Sequence, residues 1–238
     1  YDGHEVIAGE GEITVDGKTI KIMTSAQDHK RAMDGDQGLN TGGMGTFSPS
    51  PFYTEEVDEF CKKHIYQATV DAMKAEGREF KGIIFFGLML TKDGPKVIEY
   101  NCRFGDPETQ VVLPLLKSDL LEVMKATTEG RLKDINVEFS TDSACCVILA
   151  SKGYPQDYQK GLEIKLPSNP IGEIYVAGAK LDGEVLKTSG GRVIGATSTG
   201  KTLKQAINNA YALAETIYFE NKYMRNDIGA KALKIKGE

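Results

Sequence analysis

The stretch GIIFFGLMLTKDGPKVIEYNC, Gly82 to Cys102, holds two apolar runs separated by the turn formers Lys92-Asp93-Gly94-Pro95. Runs of this kind around a short break read as a β-hairpin. The first run, Gly82 to Leu90, is apolar at every position, so neither of its alternating faces is suited to water. The reading therefore puts the hairpin in the middle of the protein, covered on both sides, with sheet as the organising element.

The second strand then turns polar, in VIEYNCRFGDPE, Val97 to Glu108. Strict alternation places Val97, Glu99, Asn101 and Arg103 on one side and Ile98, Tyr100 and Cys102 on the other. Alternate residues lie about 6.6 Å apart, so the Glu99 carboxylate and the Asn101 amide oxygen can converge on one hard cation. Mg²⁺ takes oxygen ligands and keeps positions for water and substrate phosphates. Arg103, one step further on, suits phosphate oxygens as a bidentate donor. The alternative is an edge-strand pair between Glu99 and Arg103, with Asn101 capping a turn. The further carboxylates Asp106 and Glu108, costly to bury unpaired, favour a site at the strand end.

On the N-terminal side, Glu12–Val15 and Thr19–Met23 alternate around Asp16-Gly17, a second hairpin signal. Residues 24–51 carry turn formers without periodicity and read as one long loop, a feature associated with function or disorder. Thr54 then caps a helix with Val57, Phe60, Cys61, Ile65, Ala68 and Ala72 inward, ending at Gly77. On the C-terminal side, Pro107 opens a helical stretch and Ser118 caps another, which stops near Gly130. The polar segment 131–142 is the candidate boundary. Beyond it Ala144–Ala150 reads as a buried strand, Ile174–Leu181 with Glu184–Thr188 as a hairpin, and Arg192–Thr197 as a further strand. Thr202-Leu203-Lys204-Gln205 is a capping box starting a helix whose apolar stripe runs from Leu203 to Ile217. Strands first and a helix against them make this second part an α+β module.

A net charge of −5 and a pI near 5.4 exclude a basic nucleic-acid surface. No apolar run approaches the roughly 20 residues of a membrane span. Cys61, Cys102, Cys145 and Cys146 show no CxxC spacing, and they read as buried thiols of a reducing cytoplasm.

Two more constellations stand out. Gln27-Asp28-His29-Lys30-Arg31 precedes Asn40-Thr41-Gly42-Gly43-Met44-Gly45, where three glycines in four residues allow close approach to an anion. An ordinary flexible loop beside a solvated charge cluster is the other reading. Ser189-Gly190-Gly191-Arg192, preceded by Lys187, has the form of an anion clamp, or of a simple turn with a surface arginine.

These motifs together resemble the phosphoribosylamine–glycine ligase family, also called glycinamide ribonucleotide synthetases, of the ATP-grasp superfamily. The resemblance runs from about Gly17 to the C-terminus. It rests on QDHKRA (27–32), LNTGGMG (39–45), KVIEYNCRFGDPETQ (96–110), SKGYPQDY (151–158), SGGRV (189–193) and RNDIG (225–229). It implies an α+β fold: an ATP-grasp C-terminal lobe, mostly antiparallel sheet with flanking helices, over residues 1–140, then a small α+β C-terminal domain over 141–238. It implies that ATP phosphorylates glycine and that the amine of 5-phosphoribosylamine attacks the glycyl phosphate, a step of de novo purine biosynthesis. By the same resemblance Glu99 and Asn101 hold Mg²⁺ or Mn²⁺ and Arg103 steadies the transferring phosphoryl group. Asp106 and Glu108 orient glycine or phosphoribosylamine, and Glu5, His29 and Lys30 face the nucleotide. Gly190, Gly191 and Arg192 face the sugar phosphate.

The sequence departs from the family pattern at Ile7–Glu10, and GIIFFGLML offers no second metal-binding carboxylate on the strand before Glu99. The chain begins at Tyr1 without an initiator methionine and reads as part of a longer protein. The half carrying the family's nucleotide-gripping lysines would precede it, and other purine-pathway domains could follow it in multifunctional members. The isolated 238 residues are expected to bind Mg–nucleotide weakly and not to turn over. The competing expectations are another ATP-grasp carboxylate–amine ligase and a non-catalytic binding module.

Overall fold

The computed structural model describes residues 7–236; Glu5 lies outside them. The strands are β1 (Ile7–Asp16), β2 (Ile20–Ile22), β3 (Gln27–Asp28), β4 (Arg31–Met33), β5 (Gln37–Asn40), β6 (Gly45–Ser48), β7 (Lys81–Thr91), β8 (Gly94–Asn101), β9 (Ser143–Ser151), β10 (Glu173–Val176), β11 (Ala179–Asp182), β12 (Val185–Thr188), β13 (Arg192–Gly200) and β14 (Lys222–Tyr223). The helices are α1 (Glu55–Cys61), α2 (Gln67–Ala75), α3 (Thr109–Val112), α4 (Leu120–Glu129), α5 (Leu203–Thr216) and α6 (Ala230–Lys236).

The chain forms two compact units. One takes the residues up to Gln27, Pro49–Gly105 and Leu115–Ser140. The other takes Asp28–Ser48, Asp106–Pro114 and everything from Thr141 on, so two segments from the first half of the sequence fold with the second.

The first unit is a sheet in the order β2-β1-β7-β8, antiparallel at each junction. Strand β7 is central, as its two apolar faces require, but β8 ends the order, which corrects the reading of a hairpin covered throughout. Ile13, Val15, Ile84, Phe86 and Leu88 pack on one face with Cys61, Ile65, Tyr66 and Val70 from the α1–α2 segment. The opposite face of β1 carries Thr14, whose hydroxyl meets that of Thr127 on α4 at 2.7 Å, and Asp16, which accepts from the Leu132 amide. Helix α4 is capped by Asp119, not by Ser118: the Asp119 carboxylate accepts from the Leu121 and Glu122 amides. Gly130 closes α4 in the left-handed conformation as expected.

Thr54 does cap α1, but a π-helical turn, Lys62–Tyr66, joins α1 to α2. The wider turn shifts the inward stripe. Val57 and Cys61 face the sheet before it, Ile65 and Tyr66 within it, and Val70 and Met73 after it. Phe60, Ala68 and Ala72, expected inside, are exposed.

The second unit is built on a sheet in the order β10-β13-β9-β6-β3, with β14 added beside β9. Every residue of β9 is buried, and Leu203, Ala206, Ala210, Leu213 and Ala214 of α5 supply the apolar stripe of the helix. Thr202 caps α5 by accepting from Gln205 N. In the reciprocal bond the Lys201 amide, one residue before the capping-box position, donates to Gln205 Oε1. The expected 174–188 hairpin splits: β10 joins the large sheet, and only β11 and β12 form a ribbon. The supposed loop 24–51 also contains structure, since β4 and β5 form a second ribbon and β6 pairs with β9. Cys61, Cys145 and Cys146 are buried as expected, whereas Cys102 is exposed.

Candidate functional site

In the first unit the site begins with a bulge. Leu88 pairs with Val97 and Gly87 with Glu99, so Ile98 is an extra residue in β8. The bulge reverses the phase that simple alternation assigns. Val97 packs on the α1–α2 core, and Tyr100 sets its ring edge-on against Phe86 at 5.2 Å. Val97 therefore does not share a face with Glu99, as strict alternation had it. Glu99 and Asn101, opposite Gly87 and Phe85, still share the other face. Glu99 is exposed and Asn101 half-buried.

Gly87 makes the room: a Cβ there would stand 2.8 Å from Glu99 Cγ. Arg103 lies just past the strand, donating to Asn101 Oδ1 at 3.4 Å and to Phe104 O at 2.8 Å. On the same face, across β7, Glu12 pairs with Phe85, which in turn pairs with Asn101. Its buried carboxylate accepts from the Gly105 amide at 2.6 Å and so anchors the turn that follows Asn101. The sequence reading looked for a second carboxylate on β7 only. The alternation of Glu12 with Ile13 was the available signal for one on β1.

Among the described residues no group of three His, Cys, Asp or Glu side chains is placed to hold a metal. One carboxylate and one amide oxygen, exposed on a face kept open by Gly87, fit a hard cation that draws its other ligands from water and phosphate. They do not fit a protein-enclosed site.

In the second unit, four separated motifs meet. Arg192 on β13 donates from Nη1 to Gly42 O at 2.8 Å and Asp106 O at 2.9 Å, and from Nη2 to Asp106 Oδ2 at 2.9 Å. The Gly42 amide donates to the Tyr154 hydroxyl at 3.0 Å. Tyr154 was not singled out from the sequence; its place in SKGYPQDY carries no local signal for this contact.

The glycine-rich loop spends its amides internally. Those of Thr41, Gly42, Gly43 and Met44 go to Lys30 O, Tyr154 Oη, Thr41 Oγ1 and His29 O. In this arrangement the four amides are engaged within the protein, which favours the ordinary-loop reading over the anion cradle that stood beside it. The amides of Ser189 and Gly190 are likewise engaged, both donating to Gly178 O. Gly190 is small because Gly178 packs against it, and Gly191 because the Tyr154 ring does.

His29 is also committed: Nδ1 lies 3.1 Å from Gly45 O and Nε2 accepts from the Gly229 amide at 3.2 Å. This pattern is that of the neutral ring protonated at Nδ1. Burial, with the Arg225 guanidinium nearby, lowers the His29 pKa to about 4. Expected to face the nucleotide, His29 has both ring nitrogens bonded to backbone. Lys30 bridges two acids, with Nζ 2.7 Å from Asp28 Oδ2 and 3.5 Å from Glu108 Oε1. Burial and the neighbouring Glu108 raise the Asp28 carboxyl to about 7.

The RNDIG motif closes this unit. Arg225, 1% exposed, bonds Asp36, Asp227 and Arg31 O, and the Asn226 amide bonds Asp34.

This is the fold of ATP-grasp proteins: the Campylobacter jejuni biotin carboxylase–β-γ-ATP complex superposes over 92% of this chain and 47% of its own, with a TM-score of 0.66 at 12% identity. Residues 2–109 match "Phosphoribosylglycinamide synthetase, ATP-grasp (A) domain", and residues 144–231 match "Phosphoribosylglycinamide synthetase, C domain". The chain belongs to the phosphoribosylglycinamide synthetase family. The phosphoribosylamine–glycine ligase of Clostridium acetobutylicum is 48% identical over 90% of this chain and 51% of the relative. The human trifunctional purine biosynthetic protein adenosine-3 is 46% identical over 92% of this chain and 22% of the relative. The crystal structure of the Thermotoga maritima phosphoribosylamine–glycine ligase matches with a TM-score of 0.84 at 36% identity, over 96% of this chain and 56% of its own. The chain thus spans about half the length of the single-function relatives it matches.

Proposed function

We propose that these residues are part of an ATP-dependent ligase that joins glycine to 5-phosphoribosylamine, giving glycinamide ribonucleotide, ADP and phosphate through a glycyl phosphate. The observation that carries the reading is the pairing of Glu99 and Asn101 on one open face of β8, within a chain of this family. In sequence terms residues 1–140 form the ATP-grasp domain and 141–238 the C-terminal domain. The protein acts in the cytoplasm, either as a single enzyme or joined to further purine-pathway domains, as the human relative's name suggests by analogy. No described helix is long and apolar enough to cross a membrane.

Glu99 and Asn101 would hold Mg²⁺ or Mn²⁺, which when bound neutralises phosphate charge during transfer. Arg103, already directed at Asn101 Oδ1, offers its remaining N–H groups to the transferring phosphoryl oxygens. Glu12 fixes the Gly105 end of the turn and so limits where Arg103 can move. In the second unit Arg192 holds Asp106 through both its carbonyl and its carboxylate. Asp106 and Glu108 then orient glycine or phosphoribosylamine, Lys30 faces the nucleotide, and Arg192 supplies the cation for a sugar phosphate.

The test is phosphate release by the full-length protein containing these residues. Turnover that requires glycine and 5-phosphoribosylamine together is expected. Turnover with other carboxylate and amine pairs, but not with these, contradicts the proposal.

A further inference from the structure

Tyr154 enters none of the proposed steps, yet it touches the surroundings of Arg192 at two points. Its hydroxyl accepts from the Gly42 amide at 3.0 Å, and its ring fills the space that a side chain at Gly191 would need. Gly191 directly precedes Arg192, and Gly42 O accepts from Arg192 Nη1 at 2.8 Å. One phenol thus braces both the backbone that carries the arginine and the peptide that receives its guanidinium. The guanidinium lies face-on over Gly42: a Cβ there would stand 3.0 Å from Cζ, 3.1 Å from Nη2 and 3.2 Å from Nε.

Tyr154 is itself anchored, just past the end of β9. Its amide donates to Ser151 O at 3.0 Å, the Ser151 amide donates to Gly191 O at 2.8 Å, and the Ser151 hydroxyl donates to Gly190 O at 3.0 Å. A tyrosine side chain turns about only two bonds and acts as a short rigid strut. Arginine has a long stem, whose rotamers must be restricted before its planar fork can meet a phosphate in one geometry.

We infer that Tyr154 is a positioning residue for the sugar-phosphate substrate: by fixing Gly42 and Gly191 it holds the Arg192 guanidinium in one orientation. In that orientation Asp106 takes the edge formed by Nη1 and Nη2. Among the described residues no hydrogen bond of the guanidinium uses Nε, so the Nε–Nη2 edge is the one that meets the phosphate. The inference rests on the proposed role of Arg192 and deepens it by naming the group that orients it. Tyr154 acts through Gly42 and Arg192 and does not touch the reacting atoms.

The experiment uses the full-length protein and steady-state kinetics. Tyr154→Phe keeps the ring and removes only the hydroxyl. It should raise the KM for 5-phosphoribosylamine about fivefold, as loss of one neutral hydrogen bond implies, with the KM for ATP within twofold and kcat within threefold. A merely structural role would lower kcat, or shift both KM values together, and that pattern overturns the inference. In an Arg192→Gln background Tyr154→Phe should add less than twofold, because its effect passes through Arg192; multiplicative effects overturn the inference. Gly42→Ala, which sets a methyl group under the guanidinium, should raise the same KM tenfold or more. Should Tyr154→Phe not fold, Gly42→Ala decides, and an unchanged KM overturns the inference. Wild-type kinetics in Tyr154→Phe beside an impaired Arg192→Gln defeat the inference alone. An Arg192→Gln variant with an unchanged KM for 5-phosphoribosylamine defeats the sugar-phosphate reading, and the inference falls with it.

Discussion

Glu99 lies over Gly87: the two residues pair across β7 and β8, and the glycine's missing side chain leaves the space that Glu99 Cγ occupies. A methyl group at 87 would sit 2.8 Å from that carbon, closer than packed side chains approach. The carboxylate's position is therefore set by a residue on the neighbouring strand that carries no functional group.

Gly87→Ala should accordingly move Glu99 without touching its chemistry. Overpacking of this kind costs about 1–3 kcal/mol. We expect a matching loss in denaturant midpoint and at least a tenfold rise in the Mg²⁺ concentration needed for half-maximal turnover in the full-length protein. Unchanged metal dependence contradicts the close fit.

Arg225 is a stability residue. It is 1% exposed and holds Asp36, Asp227 and the Arg31 carbonyl, so it ties the C-terminal RNDIG segment to the β4–β5 ribbon. Removing one partner of a buried ionic network costs about 3–5 kcal/mol. Arg225→Ala should destabilise by that amount, and Arg225→Lys should recover little of it, because lysine lacks the planar fork. Denaturant titration of both variants checks this.

His29 gives a pH signature. Its pKa falls from 6.5 to about 4 in the folded chain, so the unfolded chain binds more protons between those values. The stability that neutral His29 contributes is complete above pH 6.5 and is lost as pH falls toward 4. The difference amounts to roughly 3 kcal/mol at about 1.4 kcal/mol per pKa unit. Asp28 shifts with the opposite sign, but it is present in both wild type and His29→Gln, so it cancels in their difference. The stability advantage of wild type over His29→Gln should shrink by roughly 2–3 kcal/mol between pH 7 and pH 4.5. A constant gap contradicts the assignment.

The thiols offer a direct check on the fold. Cys102 is exposed, while Cys61, Cys145 and Cys146 are buried, and burial raises the pKa of all three. A disulfide reagent should titrate one thiol per native chain rapidly and all four after denaturation. Rapid reaction of two or more native thiols contradicts the burial of β9 or α1.

Much of this was legible in local pattern. The apolar run of β7, the Thr54 and Thr202 caps and the Gly130 stop all follow from periodicity and capping chemistry. The metal-site candidates came from alternation, although a bulge at Ile98 corrected which neighbours share their face. What escaped was set by long-range contact. The π-helical turn shifts the stripe of the α1–α2 segment with no proline or glycine to announce it. The glycine loop left two readings open, anion cradle or ordinary loop, because nothing local reveals that Tyr154, over a hundred residues away, accepts from Gly42. His29, Asp28 and Gly190 likewise take their roles from partners that only the folded chain brings near.

The central claim is that Glu99 and Asn101 hold the divalent cation that accompanies ATP. Its most direct test is the steady-state rate of full-length Glu99→Ala at saturating Mg²⁺, with circular dichroism to verify folding. The account predicts a rate at least about a thousandfold below wild type with an unchanged fold, as loss of a principal electrostatic contribution to phosphoryl transfer implies. A well-folded variant whose rate falls only a few-fold would contradict it.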